Sequence, residues 1–251
     1  MIYKMKLLVV MLGAVFTAHL NAATLAGWDF NGQVGASNVW GPSPFAATSL
    51  SAGVVSASLG LGFTTSQSGT SASKAWGTNG WSSTATTASA ALAANNWITI
   101  TLNADAGYTM SLASIDAFNV RRSASGPITG LLQYSVDSGT SFNDIGSAIT
   151  WGNVTTSSGN AVASIDLSGI VDLQNVASVT FRILNYGATG ASGTWYLNEP
   201  TATAGVSDFT LSGTTALSQV PEPSTYAMVL GGLVLTIVVA QRRRQSTAKR
   251  S

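Results

Sequence analysis

Nine carboxylates lie between Thr24 and Gln219: Asp29, Asp105, Asp116, Asp137, Asp144, Asp166, Asp172, Glu199 and Asp208. They have the widest chemical range of any side chains in this segment, because the chain has no Cys and its one His is His19, near the N-terminus. A Ser-His-Asp triad, a Cys-His pair, a two-His-one-carboxylate iron site and a His- or thiolate-bound zinc are therefore excluded from residues 24–219. Two chemistries remain open to oxygen groups alone: glycoside cleavage by a carboxylate pair, and carboxylate-bound calcium. None of the nine stands in a motif that demands catalysis. No catalytic residue, metal ligand or cofactor is assigned from the sequence, and a non-enzymatic protein is expected.

Binding chemistry is better represented, because all seven tryptophans fall in the same segment. Trp76 and Trp81 lie five apart in Lys74-Ala75-Trp76-Gly77-Thr78-Asn79-Gly80-Trp81, a Gly-rich stretch that can present two indoles together. Exposed indoles suit sugar rings, whose C–H faces pack on π surfaces while Asn, Thr and Ser meet the hydroxyls. Trp76 and Trp81 are thus the candidate glycan-binding residues, whereas Trp28, Trp97, Trp151 and Trp195 sit in or beside strand patterns and are expected in the core. A second local motif is Ser135-Val136-Asp137-Ser138-Gly139-Thr140-Ser141-Phe142. Asp137 can accept backbone N–H groups across a turn, Gly139 can supply a positive φ, and Phe142 can pack on the hairpin base. The stretch resembles the Asp-box of sialidase-like propellers, with Ser141 and Phe142 in place of Thr and Trp. Those propellers repeat the box, so a single copy implies a structural hairpin in preference to a calcium or sugar site.

The elements that must position these residues are strands. Only 8% of the 251 residues are charged, while Ser and Thr together number 62 and Gly 26, a polar but hardly ionic composition suited to a β-rich secreted protein. Trp97-Ile98-Thr99-Ile100-Thr101-Leu102 alternates apolar and hydroxyl side chains with period two. Leu132, Tyr134 and Val136 repeat that pattern, as do Val179, Phe181 and Ile183, and 116–120, 162–167, 194–197 and 208–211 are shorter candidates. No amphipathic helix longer than a turn or two is evident. The expectation is an all-β fold, an antiparallel sandwich or jelly roll with one buried seam, over 24–219. Asn31 to Asn95 is less regular, and runs such as Ser82 to Ala90 read equally as weak strands or as long loops. Four bases against nine acids give 24–219 a net charge of −5, which argues against nucleic acid as a partner.

Both ends have the character of addresses. Lys4 and Lys6 precede an apolar stretch from Leu7 to Ala18, followed by the small residues Ala22 and Ala23, the three-part layout of a secretory signal peptide over 1–23. At the other end, Val220-Pro221-Glu222-Pro223-Ser224 leads into an uncharged stretch from Tyr226 to Ala240, closed by Arg242, Arg243 and Arg244. Fifteen helical residues cover about 22 Å of a hydrocarbon core of roughly 30 Å, so a single short transmembrane helix over about 226–240 would need snorkelling flanks or local thinning. The arginine cluster fixes its orientation, with positive charge cytoplasmic and 24–219 outside.

Pro-Glu-Pro, a short apolar helix and a basic cluster, in that order over 220–251, resemble the PEP-CTERM sorting domain of Gram-negative bacteria. The resemblance implies export through the Sec translocon, cleavage by signal peptidase, a transient inner-membrane intermediate, and processing by an exosortase at Pro221, Glu222 and Pro223 for delivery to the outer surface or matrix. Residues 179–188, 192–198 and 208–213 are similar, more loosely, to the closing strands of β-sandwich ectodomains found upstream of such signals. A structural or adhesive protein associated with exopolysaccharide is expected. The alternatives are a carbohydrate-binding module using Trp76 and Trp81, and a glycoside hydrolase with two facing carboxyl groups in an open cleft.

Overall fold

Short runs of β-branched and aromatic residues, punctuated by Gly, Asn and Ser, become strands wherever a face can be covered. The computed structural model describes residues 22–63, 68–153, 158–199 and 203–218. Its strands, in chain order, are β1 (Ala23–Trp28), β2 (Phe45–Ala46), β3 (Ser49–Leu50), β4 (Val54–Leu61), β5 (Ala75–Thr78), β6 (Trp97–Ala104), β7 (Tyr108–Ile115) and β8 (Phe118–Arg122). They continue with β9 (Thr129–Ser135), β10 (Asn143–Asp144), β11 (Ile149–Thr150), β12 (Asn160–Val162), β13 (Ile165–Asp166), β14 (Ser178–Tyr186), β15 (Trp195–Asn198) and β16 (Phe209–Leu217). A single helix, α1 (Ala88–Ala93), and a 3₁₀ turn at Val171–Leu173 complete the regular structure of the described residues.

Every strand pairing is antiparallel. Three sheets form, ordered β13-β7-β16-β1-β3, β10-β9-β14-β6-β4-β2 with β11 beside β9, and β12-β8-β15-β5. Their buried residues meet in one apolar cluster that includes Leu25, Trp28, Ile100, Met110, Phe181, Trp195 and Phe209. The fold is thus all-β, antiparallel and sandwich-like, with three sheets sharing the core where a single seam was expected.

The period-two stretches build the centre of the second sheet. β6 buries Ile98, Ile100 and Leu102, and β14 buries Val179, Phe181 and Ile183. Register places Phe181 opposite both Ile100 and Tyr134, and Ile183 opposite both Ile98 and Leu132, so apolar side chains run in rows across three strands. In β7 the alternation of Tyr108, Met110 and Leu112 with Thr109 and Ser111 breaks before Ile115, where the register with β16 shifts between Ser212 and Gly213. Its buried Met110, Leu112 and Ile115 stand two and then three residues apart, a bulge that a strict period of two misses.

Part of the irregular 31–95 stretch becomes helix. Thr87 caps α1, its Oγ1 accepting the Ala90 N–H at 3.2 Å. Asn95, at φ 56°, ends the turn, and the Asn96 N–H donates to the Ala91 carbonyl at 2.8 Å.

β8 begins at Phe118, leaving Asp116 at the corner after β7. The Asp116 carboxylate receives the hydroxyls of Ser114 at 2.6 Å, Thr210 at 2.7 Å and Ser212 at 2.6 Å, tying that corner to β16. Burial raises its pKa, but the three hydroxyl donors outweigh burial and the net shift is downward. A carboxyl lowered in the folded state contributes stability above its unfolded pKa of about 3.9 and loses it as pH falls through the folded value. Asp116→Asn is expected to destabilise by about 1–2 kcal/mol at neutral pH, allowing for screening at this half-buried site. The gap from the wild type should be narrower at an acid pH below the unfolded value than at neutral pH. Urea unfolding at both pH values checks this, and a gap independent of pH would refute the assignment.

Candidate functional site

The loop expected to display Trp76 and Trp81 is a strand at its start, and both indoles are fully buried, at 0% exposure. β5 pairs with β15, placing Gly77 opposite Tyr196, and a Cβ at Gly77 would collide with the Trp195 carbonyl. Glycine at this point thus permits close strand approach, not loop mobility. Trp76 donates its Nε1–H to the Pro42 carbonyl at 2.8 Å, and Trp81 donates to the Thr78 carbonyl at 3.1 Å. Trp81 packs edge-on against Phe63 and Trp195, with centroids 5.0 and 6.2 Å apart, and Trp195 in turn packs against Trp151 at 5.4 Å. The assignment of Trp76 and Trp81 as glycan-binding residues is therefore corrected: they are core. Trp28, Trp151 and Trp195 are buried as expected, whereas Trp97 is only half-buried, with the Arg182 guanidinium 5.6 Å from its ring.

The 135–142 stretch is a closed hydrogen-bonded turn. Asp137 accepts Ser135 Oγ–H at 2.6 Å, Ser141 Oγ–H at 2.6 Å, the Thr140 N–H at 3.1 Å and the Ser141 N–H at 3.0 Å. Gly139 has φ 82°, and its N–H donates to Ser135 Oγ at 2.8 Å. Phe142 carries the Arg182 guanidinium 3.6 Å from its ring centroid. The hydroxyls of Ser135 and Ser141, and then the Ser141 N–H, hold the Asp137 carboxyl well below the ordinary carboxylate range. Internal donors thus engage both oxygens of this carboxylate.

A polar recess near β8 and β15 is lined by Ser71, Arg121, Arg122, Ser123, Thr194 and Tyr196, among others, and its lining holds no carboxylate. The facing carboxyl pair that a glycosidase needs is not built there.

One cluster was not legible from spacing. Asp29, from the start of the described chain, and Glu199 and Asp208, from its end, each present a carboxylate oxygen, and these atoms all lie within 4.8 Å of one another. Pairing explains the convergence. Trp28 and Phe209 form a registered pair of β1 and β16, so the flanking Asp29 and Asp208 face each other one step further on, with the Asp208 N–H donating to the Trp28 carbonyl at 2.7 Å. Asn198 pairs with Ala75 in β15 and β5, and the next step brings the Glu199 N–H to the Lys74 carbonyl at 3.0 Å. The cluster therefore joins the end of the first sheet to the end of the third.

Within it, Asp29 accepts the Asn31 N–H at 2.8 Å on Oδ1 and the Gly205 N–H at 2.7 Å on Oδ2, and Asp208 accepts the Phe30 N–H at 2.8 Å on Oδ2. Glu199 is 5% exposed, and both its carboxylate oxygens are buried without a hydrogen-bond partner among the described residues. Burial pushes the Asp208 carboxyl up to about 6, opposed by the Phe30 N–H and reinforced by the charges of Glu199 and Asp29. No basic side chain enters that balance.

Pro221, Glu222, Pro223, Arg242, Arg243 and Arg244 lie outside the described residues, as does most of the 1–23 segment. Among the described residues, no helix is long and apolar enough to cross a membrane. No protein-family model matches the chain, and comparison with curated proteins finds no match.

Proposed function

We propose that the chain is an exported surface or matrix protein of a Gram-negative bacterium, with a signal peptide at 1–23 and a PEP-CTERM-type sorting signal at 220–251. Its β-sandwich or jelly-roll body has a structural or adhesive role among exopolysaccharide and performs no catalysis. The observation that carries this reading is the order Pro221-Glu222-Pro223, uncharged Tyr226 to Ala240, Arg242-Arg243-Arg244 behind an acidic body rich in Ser and Thr. Two prolines keep the recognition segment extended and non-helical, as a processing enzyme requires of its substrate, and Glu222 is the one charge it presents. The arginines hold the short helix over about 226–240 in the inner membrane until an exosortase acts. Outward-facing hydroxyls, such as Thr99 and Thr101 on β6, offer hydrogen bonds to hydrated polysaccharide with little fixed charge.

The carbohydrate-module alternative loses its supporting feature, since Trp76 and Trp81 are buried. The glycosidase alternative gains none from the acidic cluster, whose Glu199 oxygens are closed to solvent. Replacing Pro221, Glu222 and Pro223 together with Ala is expected to leave a full-size species in the inner membrane, read by fractionation and immunoblotting. Unchanged processing and surface delivery would remove the sorting reading.

A further inference from the structure

We propose that Asp29, Glu199 and Asp208 bind a divalent cation of the calcium class that fastens the end of the first sheet to the end of the third. Three observations converge on this. The first is size: calcium takes oxygen ligands at 2.3–2.6 Å, so oxygens on opposite sides of one ion stand roughly 4.6–5.2 Å apart, and the three carboxylate oxygens fall within 4.8 Å of one another.

The second is Glu199. A carboxylate that is 5% exposed, with neither oxygen hydrogen-bonded among the described residues, is an uncompensated buried group aimed at two further acids. Such a group is stable only when it is neutralised or paired. The third is the division of labour among the acids. The backbone N–H groups of Asn31, Gly205 and Phe30 orient Asp29 and Asp208 but leave Oδ1 of Asp208 without a hydrogen bond among the described residues, and no basic side chain is among the groups that shift the Asp208 carboxyl.

The donor set selects the ion. All three ligands are hard oxygens with no nitrogen or sulfur, which disfavours zinc and copper. Three carboxylates converging from separate strand ends suit the larger, geometrically tolerant ion, whereas magnesium demands a tighter octahedron at 2.0–2.1 Å and keeps several of its waters. Binding energy at such a site is folding energy, because the three ligands come together only in the native register. In a chain with no Cys, the ion would supply the cross-link between distant segments that a disulfide supplies elsewhere.

The test uses the purified full chain in detergent, stripped with a chelator, then melted and titrated calorimetrically with calcium chloride or magnesium chloride. Calcium at millimolar concentration is expected to raise the midpoint by about 5 °C or more, with saturable heat, and magnesium to do markedly less. Glu199→Gln removes the buried charge and keeps the shape. Without calcium it should melt at or above the wild type, and calcium should no longer shift it. Asp208→Asn is expected to weaken calcium binding about tenfold or more while the far-ultraviolet spectrum stays that of the wild type. No calcium-dependent shift in the wild type, an equal shift in Glu199→Gln, or an equal response to magnesium would each overturn the proposal. None of these readouts depends on the sorting signal, so the two proposals fail separately.

Discussion

Trp81→Ala is expected to lower the unfolding free energy by about 3–5 kcal/mol, the range for truncating a fully buried aromatic residue. For a folding unit of roughly 200 residues this corresponds to a midpoint lower by about 10 °C. The indole is at 0% exposure, wedged edge-on between Phe63 and Trp195, and its one polar atom already donates to the Thr78 carbonyl. Truncation removes the ring contacts, opens a cavity beside Trp195 and leaves that carbonyl without its donor. Trp97→Ala is the internal comparison: Trp97 is half-buried and open to Arg182 on one face, so its loss should cost about 1–2 kcal/mol. Calorimetric melting of both variants decides the matter. A surface sugar platform at Trp81 would give the opposite ranking, with an unchanged midpoint in Trp81→Ala and weakened glycan retention in affinity gels.

The same tryptophans show where sequence reasoning succeeds and where it stops. Alternation in 97–102 and 179–183 located β6 and β14 because both strands have one covered and one half-open face, the condition under which a period of two is visible. β5 has four buried residues in a row, and β1 ends in four, so neither strand writes an alternation. Gly77 looked like loop chemistry for a related reason, since glycine serves close strand approach as well as it serves turns, and only the position of Trp195 distinguishes the two uses. The Asp137 turn was legible because all its donors lie within four residues of the acceptor. The Asp29, Glu199 and Asp208 cluster was not, since its geometry depends on the β1–β16 and β5–β15 registers, which are long-range pairings. One signal was available: Asp29 and Asp208 each directly border a strand, and acids at strand ends are where pairing can bring distant carboxylates together.

Arg122 carries the second large expected effect. It lies in β8 opposite Trp195, is only 5% exposed, and has no carboxylate among its hydrogen-bond partners within the described residues. Nε–H donates to the Pro127 carbonyl at 2.8 Å, while the two terminal nitrogens reach the Gly126 and Gly152 carbonyls at 3.4 and 3.5 Å. Burial lowers the guanidinium pKa, yet an arginine starts so high that it keeps its proton, and the charge is dispersed over backbone dipoles in place of a counter-ion. One planar fork thus serves carbonyls from two separate loops, which an ammonium on a flexible stem cannot reproduce. Arg122→Ala is expected to cost about 3 kcal/mol, because it strands those carbonyls and removes packing beside Trp195. Arg122→Lys should cost about 1–2 kcal/mol. Arg122→Met tests the cause, since it retains much of the volume without any donor. Swapping a buried charge for an apolar side chain is often neutral when the charge alone is at issue. Here the carbonyls remain, so Arg122→Met should also destabilise, and the amides of Ser123 and Gly126, which bond to the Thr194 and Ser123 carbonyls, should exchange faster with solvent. A Met variant as stable as the wild type, with unchanged exchange at those amides, would mean that Arg122 contributes volume alone and that the carbonyl contacts do not hold the loop.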